Sequence, residues 1–125
     1  MKSRKEVVEN KWIFMKTVGI IGGLGPDTTA EFYLDLIFSC QKKDKNHRPS
    51  IIIASVPLPY AIEEDAISRN IGIDRCLPFL IAEARRLEQS GVHFIVMPCN
   101  SLHLFIEEIR KIAGFVGLIC ILIFI

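Results

Sequence analysis

Three short apolar runs alternate along the chain with segments of helical periodicity. The runs at residues 18–21, 50–56 and 94–97 each end in glycine, proline or a polar turn, which predicts three β-strands. The second run contains three isoleucines and no polar alternation. We therefore expect it to be covered on both faces, as in a parallel sheet.

The segments between these runs predict helices. After the turn at residues 22–26, Thr28 and Glu31 fit a capping box. A short helix is expected around residues 63–70, a longer one over 74–89 that is capped by Gly91, and a third from about 102 to 114. The apolar faces expected for the first and the long helix are Ala30, Leu34, Ile37 and Phe38, and Leu77, Leu80, Ile81, Ala84 and Leu87.

Strands that alternate with helices predict an α/β fold. The expected architecture is a three-layer sandwich with a parallel sheet of about four strands and helices on both faces. In such sheets ligands bind beyond the carboxyl ends of the strands. Here those ends are residues 22–26, 55–59 and 98–101.

Composition narrows the class of protein. The chain has 125 residues, 50% of them hydrophobic, and a formal net charge of +1, which argues against disorder and against nucleic-acid binding. The last fourteen residues contain twelve apolar residues, two glycines and no charge. We divide the chain into an N-terminal extension (1–15), an α/β domain (16–113) and an apolar tail (114–125).

The cysteines and the N-terminus indicate the compartment. Cys40, Cys76, Cys99 and Cys120 form no C-x-x-C pair, so neither a zinc site nor a redox dithiol is expected. Residues 1–11 are charged and lack the apolar run of a signal peptide, which predicts a cytoplasmic protein. The segment before Met15 is interpreted as an extension or as a misread start.

The glycine-rich turn fits a dinucleotide site poorly. The third small residue of the motif is replaced by Thr28, Pro26 removes a backbone N–H, and the second strand ends in Ser55 instead of an acid. The loop therefore gives only weak support to a dinucleotide cofactor. On this loop alone, a tight strand-to-helix turn without further function is an equal alternative.

Cys99 is the strongest candidate for chemistry. It follows a strand and a proline and precedes a helix, where free N–H groups and the helix dipole favour a thiolate. Asn100 and Ser101 can cap that helix or bind a carboxylate. A buried structural cysteine is the competing interpretation.

Three segments resemble the aspartate/glutamate racemase family: residues 16–26 (KTVGIIGGLGP), 86–91 (RLEQSG) and 97–103 (MPCNSLH). The resemblance extends over residues 16–112. It implies a cofactor-independent racemase of an acidic amino acid, built from two similar α/β domains that each supply a catalytic cysteine, so this chain matches the first half. Family members are commonly dimers, and a homodimer is expected here.

The resemblance assigns roles to matched residues. Cys99 matches the catalytic cysteine of the first domain, Asn100 and Ser101 its carboxylate-binding neighbours, and Leu24 and Gly25 the substrate-facing first loop. His103 is expected to support the helix start. The implied partner is a small amino-acid or other carboxylate substrate, whereas a nucleic acid or a membrane is not expected.

Two departures from the family leave alternatives open. The loop at residues 57–62 has no arginine for a side-chain carboxylate, and a second catalytic cysteine in a Cys-Thr-Glu-like motif is missing. The chain is thus interpreted as an incomplete racemase, or as an inactive remnant or carboxylate-binding domain without turnover. Its tail is a fourth strand, a membrane-associated segment or, as favoured here, a frameshifted end.

Overall fold

A computed structural model describes residues 16–46, 48–98, 105–113 and 117–120. The strands are β1 (Thr17–Gly22), β2 (Ser50–Ser55), β3 (Phe94–Met97) and β4 (Gly117–Cys120). The α-helices are α1 (Pro26–Lys43), α2 (Tyr60–Ser68), α3 (Leu77–Gln89) and α4 (Ile106–Ala113), and a 3₁₀ helix (Ile73–Cys76) precedes α3. The predicted α/β architecture is confirmed.

The four strands form one parallel sheet in the order β2-β1-β3-β4. The pairing of β4 with β3 shows that residues 117–120 of the apolar tail belong to the sheet, as one of the three interpretations expects. Within the described part of the chain, no helix combines the length and the apolar character needed to cross a bilayer.

Helices cover both faces of the sheet. On one face, Phe32, Leu36 and Cys40 of α1 pack with side chains of β1 and β3. On the other face, α3 and α4 complete a larger cluster. Because successive residues of a strand point to opposite faces, Ile20 joins the first cluster and Ile21 the second.

The start and the orientation of α1 differ from the sequence prediction. The helix begins at Pro26, with Gly25 at the N-cap and no side-chain cap, so the capping box of Thr28 and Glu31 is wrong. Proline suits the first helical position because its missing N–H would have no helical partner there. The buried residues of α1 are Thr29, Phe32, Leu36 and Cys40. Of the predicted face, Ala30, Leu34 and Phe38 are exposed and Ile37 is half-buried.

The prediction that β2 is covered on both faces is also wrong. β2 is an edge strand, and its side chains Ile52 and Ile53 are 37% and 41% exposed. The clusters centre on β1 and β3, so an apolar strand at the edge is only partly covered. For α3, burial of Leu80, Ala84 and Leu87 confirms the predicted stripe, whereas the burial of Glu83 was not predicted.

Candidate active site at the carboxyl ends of the strands

The parallel sheet brings three loops to one edge. β1 ends at Gly22, which is in register with Ser55 at the end of β2, and β3 ends one strand away at Met97. The loop after β2 is tied to the end of β1, since the Val56 N–H donates to the Gly22 carbonyl over 2.8 Å. This is the edge at which ligands bind in sheets of this type.

Thr29 holds the loop after β1 in shape. The Gly23 N–H donates to Thr29 Oγ1 over 2.9 Å, and that hydroxyl donates to the Gly25 carbonyl over 3.2 Å. Thr29 lies in the first turn of α1 and is buried. One side chain therefore fixes both sides of the loop that connects the strand to the helix.

Gly23 is required by both backbone conformation and space. Its φ of +92° lies in the region that favours glycine. A Cβ atom built on it would lie 2.6 Å from Ser55 Oγ and 3.1 Å from the Val56 backbone nitrogen. The first and second loops are thus in direct contact at this residue, with no room for a side chain between them.

The two loop residues expected to face a substrate differ in exposure. The side chain of Leu24 is 6% exposed and belongs to the cluster that also contains Val56 and Met97. Gly25 is partly exposed, and the Leu24–Gly25 peptide bond is cis. Of these two residues, only Gly25 therefore offers appreciable exposed surface to a small ligand at this edge.

Cys99, Asn100, Ser101 and His103 lie outside the described residues. β3 ends at Met97 and is followed by the buried Pro98, so Cys99 is the second residue after the strand. The roles given to these four residues stay predictions.

The two other cysteines whose side chains are described lie in the interior. Neither Cys40 nor Cys76 forms a disulfide, and both are buried. Burial raises the pKa of the Cys40 thiol above its ordinary value, an effect that the nearby Lys43 partly offsets. A thiol with a raised pKa is a poor source of thiolate at neutral pH. Among the described residues, no group of three or more histidine, cysteine or acidic side chains could hold a metal ion.

The nearest arginine after β2 has another partner. Arg69 Nη1 lies 3.5 Å from Asp65 Oδ1, and Arg75 Nη2 lies 3.0 Å from Asp65 Oδ2. Arg69 follows the last residue of α2, whereas the loop at the strand ends lies before its first residue, Tyr60. Arg69 therefore lies at the opposite end of α2 from that loop and is paired with Asp65.

Sequence reasoning missed Thr29 as a functional residue. The signal was available, since Thr29 shares the three- and four-residue spacing of Phe32, Leu36 and Cys40. A small hydroxyl residue in the first turn of a helix, on its buried side, can reach back to the loop before it.

Comparison with known proteins identifies the family. The sequence profile described as Asp/Glu/hydantoin racemase matches residues 21–121. The chain belongs to the Asp/Glu/hydantoin racemase family. The match runs past Ile112, the limit of the resemblance expected from the sequence motifs, to residue 121. The frameshifted end stays a prediction.

Relatives in this family carry racemase names. The chain is 35% identical over 98 residues to the broad specificity amino-acid racemase RacX of Bacillus subtilis (strain 168). The aligned region covers 75% of this chain and 41% of RacX. Two solved structures share its fold at 25% identity. An aspartate racemase homologue from Pyrococcus horikoshii OT3 has a TM-score of 0.67 over 85% of this chain and 45% of its own.

The second structure is a putative Asp/Glu racemase from Yersinia pestis, with a TM-score of 0.70 over 83% of this chain and 44% of its own. The chain thus spans less than half the length of these relatives. The predicted match to one half of a racemase fold agrees with this coverage.

Proposed function

We propose that this chain supplies one half of a cofactor-independent amino-acid racemase, with Cys99 as the acid/base on one face of the substrate. The observation that carries the proposal is the family match over residues 21–121. It includes both the loop held by Thr29 and the Cys99 segment. β1 and β3 are neighbours in the sheet, so their carboxyl-terminal loops lead to the same edge.

The chemistry proceeds by proton transfer at Cα. The Cys99 thiolate removes the proton, so the Cα–H bond breaks, an S–H bond forms, and the electron pair spreads onto the substrate carboxylate. Backbone N–H groups of the first loop, with Asn100 and Ser101, stabilise that charge. Inversion then needs a proton on the opposite face, from an acid that Cys40 and Cys76 are too buried to provide.

The substrate need not have an acidic side chain. Residues 57–62, the loop after β2 and the start of α2, contain no arginine, and Arg69 is paired with Asp65. RacX is named for broad specificity, and its similarity to this chain favours a broad substrate range here too. We propose a range of amino acids as substrates. We also propose a cytoplasmic location, which the absence of a disulfide at Cys40 and Cys76 supports.

The test is exchange of the Cα proton in heavy water. The 125-residue chain is incubated with single enantiomers of aspartate, glutamate, alanine and leucine, and loss of the Cα proton signal is followed by NMR. Exchange is expected in the native chain and in Cys76→Ala, and its loss is expected in Cys99→Ala.

Two outcomes contradict parts of this account. Equal exchange in the native chain and in Cys99→Ala, both at the rate of buffer alone, rejects the acid/base role of Cys99. Exchange confined to aspartate and glutamate rejects the broad substrate range but leaves the role of Cys99 intact.

A further inference from the structure

Asp27 carries a negative charge at the edge of the sheet where the strand-end loops meet. These loops, residues 22–26, 55–59 and 98–101, contain no charged residue. Asp27 directly follows the first of them, in the first turn of α1, and its side chain is exposed. The first loop is therefore uncharged itself but is bordered by a carboxylate.

The Asp27 carboxylate lies against the backbone of Gly25. A Cβ atom built on Gly25 would lie 2.9 Å from Asp27 Oδ1, so this oxygen stands where a side chain at residue 25 would begin. The direction agrees with helix geometry, because the side chains of a helix tilt toward its N-terminus. Gly25 is partly exposed, and the resemblance assigns it to the substrate-facing loop. A ligand seated at Gly25 is therefore within reach of Asp27.

Asp27 has no cationic partner within the described part of the chain. Other acidic residues there do have one, since Asp65 pairs with two arginines and Glu83 and Glu107 pair with one each. A carboxylate without such a partner keeps its charge available to a ligand. The ligand group that suits it is a cation that can donate hydrogen bonds.

An amino acid brings such a cation to this edge of the sheet. Its α-ammonium and its carboxylate are bonded to the same carbon, so a site that holds one must accommodate the other close by. The backbone N–H groups of the first loop suit the carboxylate, whereas Asp27 suits the ammonium. A positive charge held beside Cα also stabilises the negative charge that develops when the Cα proton leaves.

We propose that Asp27 binds the α-ammonium of the substrate and makes the site select amino acids over carboxylic acids that lack this group. The inference rests on the proposed function, because it places an amino acid at the first loop. It adds a substrate-binding residue that acts through its charge. An acidic residue in a first helical turn also interacts favourably with the helix dipole, so stability measurements alone do not isolate this role.

The test compares two ligands that differ only in the amino group. Leucine, as each enantiomer, and 4-methylpentanoate are titrated into the isotope-labelled 125-residue chain, and binding is followed by NMR. The native chain is expected to bind one enantiomer of leucine about tenfold or more tighter than 4-methylpentanoate. In Asp27→Asn the two affinities are expected to fall within about threefold of each other, through weaker binding of leucine alone.

Three further variants serve as controls. Glu31→Gln removes an exposed charge one turn further along α1, and Glu63→Gln removes one from the first turn of α2. Both are expected to keep the native preference for leucine. Asp27→Glu keeps the charge and is expected to recover part of the preference that Asp27→Asn loses. Circular dichroism confirms that each variant is folded.

Three results overturn the proposal. The first is a native chain that shows no preference for leucine over 4-methylpentanoate. The second is a preference that Asp27→Asn leaves unchanged. The third is a preference that Glu31→Gln or Glu63→Gln lowers as much as Asp27→Asn does. A preference that depends on Asp27 in a chain without Cα exchange would instead reject the proposed racemase activity and retain the role of Asp27 in binding.

Discussion

Helix α1 has two apolar faces with different fates. The inner face, from Thr29 to Cys40, packs on the sheet and holds the loop after β1. The outer face carries the apolar side chains Leu34 and Phe38 between polar ones, and both are exposed. Apolar side chains at helical spacing therefore identify a helix without showing which stripe faces the core.

The same residue type can be removed from each face. Phe32→Ala is expected to lower the free energy of unfolding by about 3–5 kcal/mol, because Phe32 is fully buried. Phe38→Ala is expected to cost less than about 1 kcal/mol, since that ring already contacts water. Urea unfolding at low protein concentration measures both in the monomer. Equal losses would contradict the assignment of the two faces.

The loop held by the inner face should tolerate no side chain at Gly23. Gly23→Ala is expected to destabilise the chain by about 2–3 kcal/mol, from its positive φ and the close approach of Ser55. Gly91→Ala is the control, because its φ is +80° but a Cβ there meets nothing within 4 Å. Its expected cost is about 1 kcal/mol. If thermal melting shows that Gly23→Ala and Gly91→Ala destabilise the chain equally, the close approach of Ser55 does not contribute to the effect at Gly23.

Two adjacent threonines separate loop support from helix capping. Thr29→Val keeps the side-chain shape but removes both hydrogen bonds to the loop, so a loss of about 1–2 kcal/mol is expected, with slower Cα exchange. Thr28→Val is expected to cost less than about 0.5 kcal/mol, because Thr28 does not cap α1. A larger loss of unfolding free energy for Thr28→Val in urea unfolding would support the capping box of Thr28 and Glu31 instead.

Cys40 at the end of the inner face should make stability depend weakly on pH. Its pKa is raised in the folded chain by burial, so the folded state keeps the proton after the unfolded state has released it. The stabilisation is complete below the ordinary thiol value of 9.0 and declines as the pH rises above it. Unfolding measured at pH 8 and pH 10 should show a smaller decline in Cys40→Ala. If stability declines equally between pH 8 and pH 10 in Cys40→Ala and in the native chain, Cys40 does not cause the pH dependence.

Much of the fold follows from sequence pattern, whereas the burial of particular faces does not. Apolar runs bounded by glycine and proline predicted β1 to within one residue at each end and β3 with its observed bounds. The edge position of β2 depends on strand order, which local pattern does not contain. The orientation of α1 was missed for a similar reason, because both of its stripes are apolar.

The candidate site was predicted in part. The glycine-rich loop and its place at a strand end are confirmed, but the hydroxyl of Thr29 that secures the loop was not predicted. From the sequence alone, either Thr28 or Thr29 could hold the loop with its hydroxyl. Which of them does so depends on where the helix begins. Pro26 at the first helical position sets that start.

The stereochemistry of Cα exchange shows whether Cys99 acts as a single acid/base on one face of the substrate. A single acid/base on one face removes a proton and returns a deuteron on that same face. The chain alone is therefore expected to exchange one enantiomer of a substrate with retention of configuration, and to lose this activity in Cys99→Ala. Exchange of both enantiomers that persists in Cys99→Ala would contradict the account.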